Sequence, residues 1–170
     1  EQFGLSDKKY KILYSNRNIR RKQPNDVVLA YKYFMDGLTP EQRDECVLIF
    51  HCAPVDDNGT DLPRVHKHLC PDYDICFTYN KSGPFSDEQM NLLFNSSDDY
   101  IELGTNHRGK YKTHGEWVKP IYPASISLQG SPMTPYIWDD RCNPEDAAVS
   151  LREFYDLGRE ERKRLGALGA

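Results

Sequence analysis

Two periodicities alternate along the first hundred positions of the chain. After a polar lead-in over Glu1–Lys9, the apolar run Ile12-Leu13-Tyr14 predicts a strand over 11–15. Val27, Ala30, Tyr31, Phe34 and Met35 then recur at helical spacing, which predicts a helix from a cap at Asn25 or Asp26 to about Asp36, with Gly37 just past its end. Thr39-Pro40-Glu41-Gln42 is a capping box with proline at the first helical position, so a short helix follows. Cys46-Val47-Leu48-Ile49-Phe50-His51 is the run expected of a strand covered on both faces. Pro54 and the Asp57-Asn58-Gly59 turn signal mark a loop, and a helix from Thr60 or Asp61 to Leu69 points Leu62, Val65 and Leu69 inward. Ile75–Tyr79 predicts a third strand. Lys81-Ser82-Gly83-Pro84 breaks the chain. Ser86-Asp87-Glu88-Gln89 is a second capping box, opening a helix whose inward face holds Met90, Leu93 and Phe94.

Strands alternating with helices are the pattern of right-handed βαβ units on a parallel sheet, so the expected class is α/β. The pattern fades over Gly104–Pro135, which holds Pro120, Pro123, Pro132 and Pro135 and reads as irregular. Tyr136-Ile137-Trp138 is a short strand or a packed loop. Asn143 and Pro144 start a last helix with Ala148, Leu151, Phe154 and Tyr155 on its apolar face, ended by Gly158. Arg159–Leu165 is expected to be a charged helical turn or two with a solvated face.

Composition narrows this picture. The 170 residues suit one domain, and the mean hydropathy of -0.74 is that of a water-soluble chain. A formal net charge of -4 argues against general affinity for nucleic acid or anionic membrane, both of which reward excess lysine and arginine. No apolar run approaches the roughly 20 residues of a membrane helix, and no signal-peptide pattern opens the chain, so a cytoplasmic address is expected. The five cysteines form no Cys-x-x-Cys pair and are expected to be reduced thiols. His66-x-His68-x-Cys70 falls on a helical segment, where alternate spacing does not converge on a structural zinc, so no metal is expected.

The densest candidate chemistry lies in Tyr10–Pro24, YKILYSNRNIRRKQP. A strand is followed by Asn16-Arg17-Asn18, then by Arg20-Arg21-Lys22, then by a helix. Ligands of open α/β sheets sit outside the carboxyl ends of the strands, and helix N-terminal amides favour anions there. Arg17 and Lys22 are therefore placed to grip a phosphate or diphosphate from two sides, whereas the plainer reading is a solvated basic loop. His51 reads as a general base or as a satisfied histidine at a strand end, and His107 and His114 carry no pattern. Trp117 and Trp138 read as packing anchors. There is no Gly-x-Ser-x-Gly, Walker-type or His-Glu-x-x-His motif.

The Arg17-x4-Lys22 pair, the helix after it, the strand Cys46–His51, and Ile75–Tyr79 followed by Ser86–Asp98 resemble the group 1 (family 4-like) glycosyltransferases. His114–Pro120, Ser127–Pro132 and Asp139–Cys142 are similar to the closing part of the same domain in one subset of that family. The likeness is to the C-terminal, nucleotide-sugar-binding domain of these GT-B enzymes. It implies a single Rossmann-like domain over 1–170, with a parallel sheet and flanking helices. It further implies a retaining transfer of a sugar from a nucleotide-diphosphate donor to an acceptor, with that donor as substrate and no other cofactor. Arg17 and Lys22 would neutralise the donor diphosphate, and Thr78, Tyr79 and Asn80 would fall beside the base; Tyr79 reads equally as packing.

The chain also departs from the family. The glutamate pair that follows Asn95-Ser96-Ser97-Asp98 in such enzymes is absent, since Asp98–Glu102 runs into Gly104-Thr105-Asn106. A block missing near 98–107 is the expectation from this, as is an acceptor-binding N-terminal domain that the chain does not include. A non-catalytic binding or interaction module that keeps the fold without the chemistry is the alternative. A nucleic-acid role for Arg17–Lys22 ranks third.

Overall fold

The computed structural model describes residues 4–79, 85–103 and 115–169. Its central sheet has four parallel strands, β1 (Tyr10–Tyr14), β2 (Cys46–Phe50), β3 (Ile75–Phe77) and β4 (Asp99–Tyr100), in the spatial order β3-β2-β1-β4. Tyr10 is in register with Cys46 and Tyr14 with Phe50, while Ile12 pairs with Asp99 on the other side of β1. The helices are α1 (Pro24–Asp36), α2 (Pro40–Asp44), α3 (Leu62–Leu69), α4 (Asp87–Ser96), α5 (Pro144–Asp156) and α6 (Gly158–Gly169). The fold is α/β and Rossmann-like, as the alternation of periods predicts.

Neither β1 nor β2 has a polar face, because each feeds two cores. Tyr10, Ile12, Tyr14, Cys46, Leu48 and Phe50 pack on one side with apolar residues of α1, α3 and α5. Leu13, Val47 and Ile49 pack on the other with Leu93 of α4. The chain moves outward from β1 through β2 to β3 and then returns past β1 to reach β4. Right-handed crossovers require this reversal to move the connecting helix to the opposite face, and α4 is found there. The change of direction leaves a crevice between the carboxyl ends of β1 and β4, the usual ligand position in open sheets.

Several local expectations are corrected. Helix α1 starts at Pro24, ahead of both expected caps; its cap is Gln23, held at φ 49°, the only positive φ outside glycine among the described residues. Proline at the first helical position pre-sets the helical φ, so Asn25 and Asp26 lie in the first turn. Phe94 does not join Met90 and Leu93 on the inward face of α4. It is 46% exposed, with its ring 5.7 Å from that of Tyr100.

The irregular stretch expected over Gly104–Pro135 contains a strand, β5 (Pro123–Ser131), which pairs antiparallel with β6 (Thr134–Cys142). Leu128 is in register with Trp138 and Ile126 with Asp140. Ser125-Ile126-Ser127-Leu128-Gln129 does alternate with period two. The prolines are tolerated because they fall at a strand start, in the turn and beside it, on a ribbon whose two edges are both unpaired.

The charged segment after Gly158 is also more than a solvated turn. α6 runs for 12 residues and buries Arg162. The Arg162 guanidinium lies 4.7 Å from the centre of the Tyr10 ring, donates to the carbonyls of Phe154 and Tyr155, and reaches Asp98 at 3.6 Å. The neighbouring Asp99 accepts a hydrogen bond from the Tyr10 hydroxyl at 3.0 Å. Burial nevertheless pushes the Asp99 carboxyl up to about 6, against the pull of that hydrogen bond and of Arg162. Between the ordinary value of 3.8 and about 6, the folded state holds a proton on Asp99 that the unfolded chain releases. This group therefore contributes less stability as the pH rises through that window. Asp99→Asn is expected to be more stable than the wild type at pH 7 and to lose this part of the slope, as read from urea midpoints of both proteins across the window.

Candidate anion-binding site

The site is built on the loop that leaves β1. Asn18 is fully buried there, and its Nδ2 donates to the carbonyls of Ala53 (3.1 Å), Pro54 (3.3 Å) and Thr60 (2.8 Å). Its Oδ1 accepts from the Thr60 amide at 3.2 Å. Gly59 must be glycine for this contact, since a Cβ on it would lie 2.1 Å from the Asn18 carbonyl oxygen. The Arg20 amide donates to the Asn58 carbonyl at 3.2 Å. The loops after β1 and β2 are thereby fastened into one layer over the carboxyl edge of the sheet, and the role of Asn18 is to shape it.

Arg17 and Lys22 both lie on this edge, each beside a carboxylate. Arg17 Nε is 3.3 Å from Asp56, and Lys22 Nζ is 2.8 Å from Glu102 Oε1. Asn16 Nδ2 donates to the same Glu102 oxygen at 2.9 Å. The Asn58 amide and the Arg17 guanidinium hold the Asp56 carboxyl below its ordinary value. The Arg17 side chain is 64% exposed, and exposed pairs contribute about 0–1 kcal/mol. A multiply charged anion can therefore displace Asp56 at little cost. Lys22 is more enclosed, at 16% side-chain exposure, and Glu102 holds it more firmly. Glu102 and Asp56 were not legible as partners in the sequence, although both follow a strand closely, which is where such partners collect.

Arg17 also lines a pocket of about 350 Å³ together with Asn16, His51, Asp56 and Tyr79. His51 Nδ1 is 2.9 Å from the Thr78 hydroxyl, which itself donates to the Phe50 carbonyl at 3.3 Å. With the Thr78 proton engaged, Nδ1 is the donor and Nε2 carries the lone pair. Burial lowers the His51 pKa, so the imidazole is neutral at pH 7. Its ring packs against Phe85 at 4.6 Å and Tyr79 at 5.6 Å.

The expected site residues are thus divided. Arg17 and Tyr79 face the same pocket, Lys22 is joined to it through Glu102 and Asn16, and buried Thr78 supports His51 from behind. Asn80, His107 and His114 lie outside the described residues, as does the 104–107 part of the proposed missing block. Residues 98–101 continue the sheet, with the Asp98 amide bonded to Lys11 and the Ile101 amide to Leu13.

Among the described residues, no group of three histidine, cysteine or acidic side chains converges on a metal position. His66 bonds the Tyr73 carbonyl at 2.8 Å, and all five cysteines are free thiols. No described helix is long and apolar enough to cross a membrane. No protein-family model matches the chain, and neither does any curated protein sequence.

Asn18→Ala leaves the Ala53 carbonyl and the Thr60 amide without their buried partner, while the Pro54 and Thr60 carbonyls keep only the amides of Leu62 and Asp56. It is expected to cost about 3 kcal/mol of stability, measured by urea unfolding. A loss comparable to that of an exposed surface substitution would mean that the two loops are not fastened through this side chain.

Proposed function

We propose that the chain binds the diphosphate of a nucleotide-sugar at the carboxyl edge of its sheet, as the donor-binding domain of a retaining glycosyltransferase. The observation that carries this reading is the position of Arg17 and Lys22 beside the crevice where the strand order reverses, on a loop held rigid by Asn18. Charge-assisted contacts to a departing diphosphate strengthen as negative charge grows on it, which is where a glycosyl transfer needs them. Arg17, on the pocket rim, gives up Asp56 for the ligand. Lys22 needs Glu102 to swing aside or to stay as a partner for ligand hydroxyls. Tyr79 and His51 supply the pocket's aromatic surface for a base, and the acceptor comes from elsewhere.

One observation favours the alternative of a non-catalytic module. Arg17 and Lys22 each have a carboxylate partner within the chain, so neither requires a ligand anion to balance its charge.

Calorimetric titration with UDP and GDP separates the two readings. Donor binding predicts saturable heat that weakens at least about tenfold, or about 1.4 kcal/mol, in Arg17→Ala and in Lys22→Ala, with both variants folded by circular dichroism. Absence of binding to either nucleotide contradicts the donor reading and leaves the module.

A further inference from the structure

A second cleft of about 830 Å³ opens on the other side of the same loop. It lies between the 3-10 turn Arg20–Lys22, the first turn of α1, the 57–60 turn and one face of the β5–β6 ribbon. Among the described residues, four arginines line it, Arg17, Arg20, Arg21 and Arg141, against three aspartates, Asp26, Asp57 and Asp139. Arg141 pairs with Asp26, while Arg20 reaches Asp139 only at 3.7 Å. Arg21 has no hydrogen bond or ion pair among the described residues and is exposed. The first turn of the 13-residue α1 has no side-chain cap, and Asn25 of that turn lines the cleft. A guanidinium with no partner among the described residues, beside a helix start without a side-chain cap, is suited to a phosphate.

The independent observation is Gln23. It lines the cleft, is 7% exposed, and sits in a left-handed conformation that a residue with a side chain adopts at some cost. Its Nε2 donates to the Asp140 carbonyl, while its Oε1 is buried with no hydrogen-bond partner among the described residues. An orphaned acceptor of this kind calls for a donor. Asp57 adds a second acceptor, and Ser127, Gln129 and Asn58 offer further hydroxyl-matching groups. Among the described residues, no aromatic ring lines the cleft to stack on a nucleobase.

We infer that this cleft is a second ligand site, separate from the diphosphate position, and that it takes a phosphorylated sugar. The phosphate meets Arg21 and the start of α1, and the hydroxyls meet Gln23 Oε1, Asp57 and the polar face of the ribbon. Acceptors among the lining groups are what distinguish a phosphorylated polyol from a bare anion, which would want donors alone. The inference stands whether or not the donor reading does, because Arg21, Gln23 and Asp57 lie outside the His51 pocket, and Arg17, which lines both, is not one of the groups assigned to the phosphorylated sugar.

The test uses the full chain and glucose 6-phosphate as probe, with glucose, inorganic phosphate and UDP as comparisons, read by calorimetry and by amide shifts. Glucose 6-phosphate is expected to bind at least about tenfold more tightly than glucose or phosphate, to weaken about tenfold in Arg21→Ala, and to weaken again in Gln23→Met. UDP affinity is expected to be unchanged in Arg21→Ala if UDP binds, and a protein that binds glucose 6-phosphate but no nucleotide still supports the cleft. No binding at millimolar glucose 6-phosphate overturns the inference. So does equal binding of inorganic phosphate, indifference to Arg21→Ala, or simple competition with UDP for one site.

Discussion

The constraint on which the rest depends is the double burial of β1. It is hydrogen-bonded to parallel strands on both sides and packed on both faces, with Tyr10, Ile12, Leu13 and Tyr14 all fully buried. A strand in that position has no solvated face or edge, so the polar residues that follow it must leave the sheet at its carboxyl end. Because the strand order also reverses at β1, the loop carrying Asn16, Arg17 and Asn18 opens on the crevice beside β4. The site's location follows from topology alone. Its chemistry follows from what the loop carries.

That loop is held by one buried amide. Asn18 bonds three carbonyls and an amide of the 53–60 segment, and Gly59 allows the two backbones to meet. On either side of Asn18, Arg17 is left at the surface and Lys22 is partly enclosed, paired to Asp56 and Glu102 respectively. Such pairing keeps the empty edge from repelling itself and leaves the exchange of partners nearly neutral for Arg17. A rigid scaffold with exchangeable ion pairs on its rim is a favourable design for reversible anion binding, since the ordering entropy of the loop is already met by the fold.

The sheet was legible because strands buried on both faces write themselves as short unbroken apolar runs, and Cys46–Phe50 did so without ambiguity. The capping boxes at Thr39 and Ser86 marked two helix starts to the residue. Helix α1 was placed late because Gln23 is a poor cap by composition, and its left-handed backbone depends on a bond to β6 that no local pattern shows. Strand β5 was hidden by the prolines around it, although Tyr136-Ile137-Trp138 already offered a strand in what is β6, and Arg162 was hidden by the charge of its neighbours; both are fixed by contacts distant in sequence. For the site, Arg17 and Lys22 could be placed on one edge from sequence order. Their carboxylate partners could not, because Asp56 and Glu102 come from the segments that follow other strands.

The central claim, that the crevice beside β1 is where a diphosphate ligand sits, is tested most directly by mapping amide shifts in a nitrogen-15-labelled sample titrated with UDP. The account predicts saturable shifts concentrated in the 15–18, 51–53 and 101–103 segments, with Arg21, Gln23 and the β5–β6 ribbon unaffected. Saturable shifts centred elsewhere, or none at all, would contradict it.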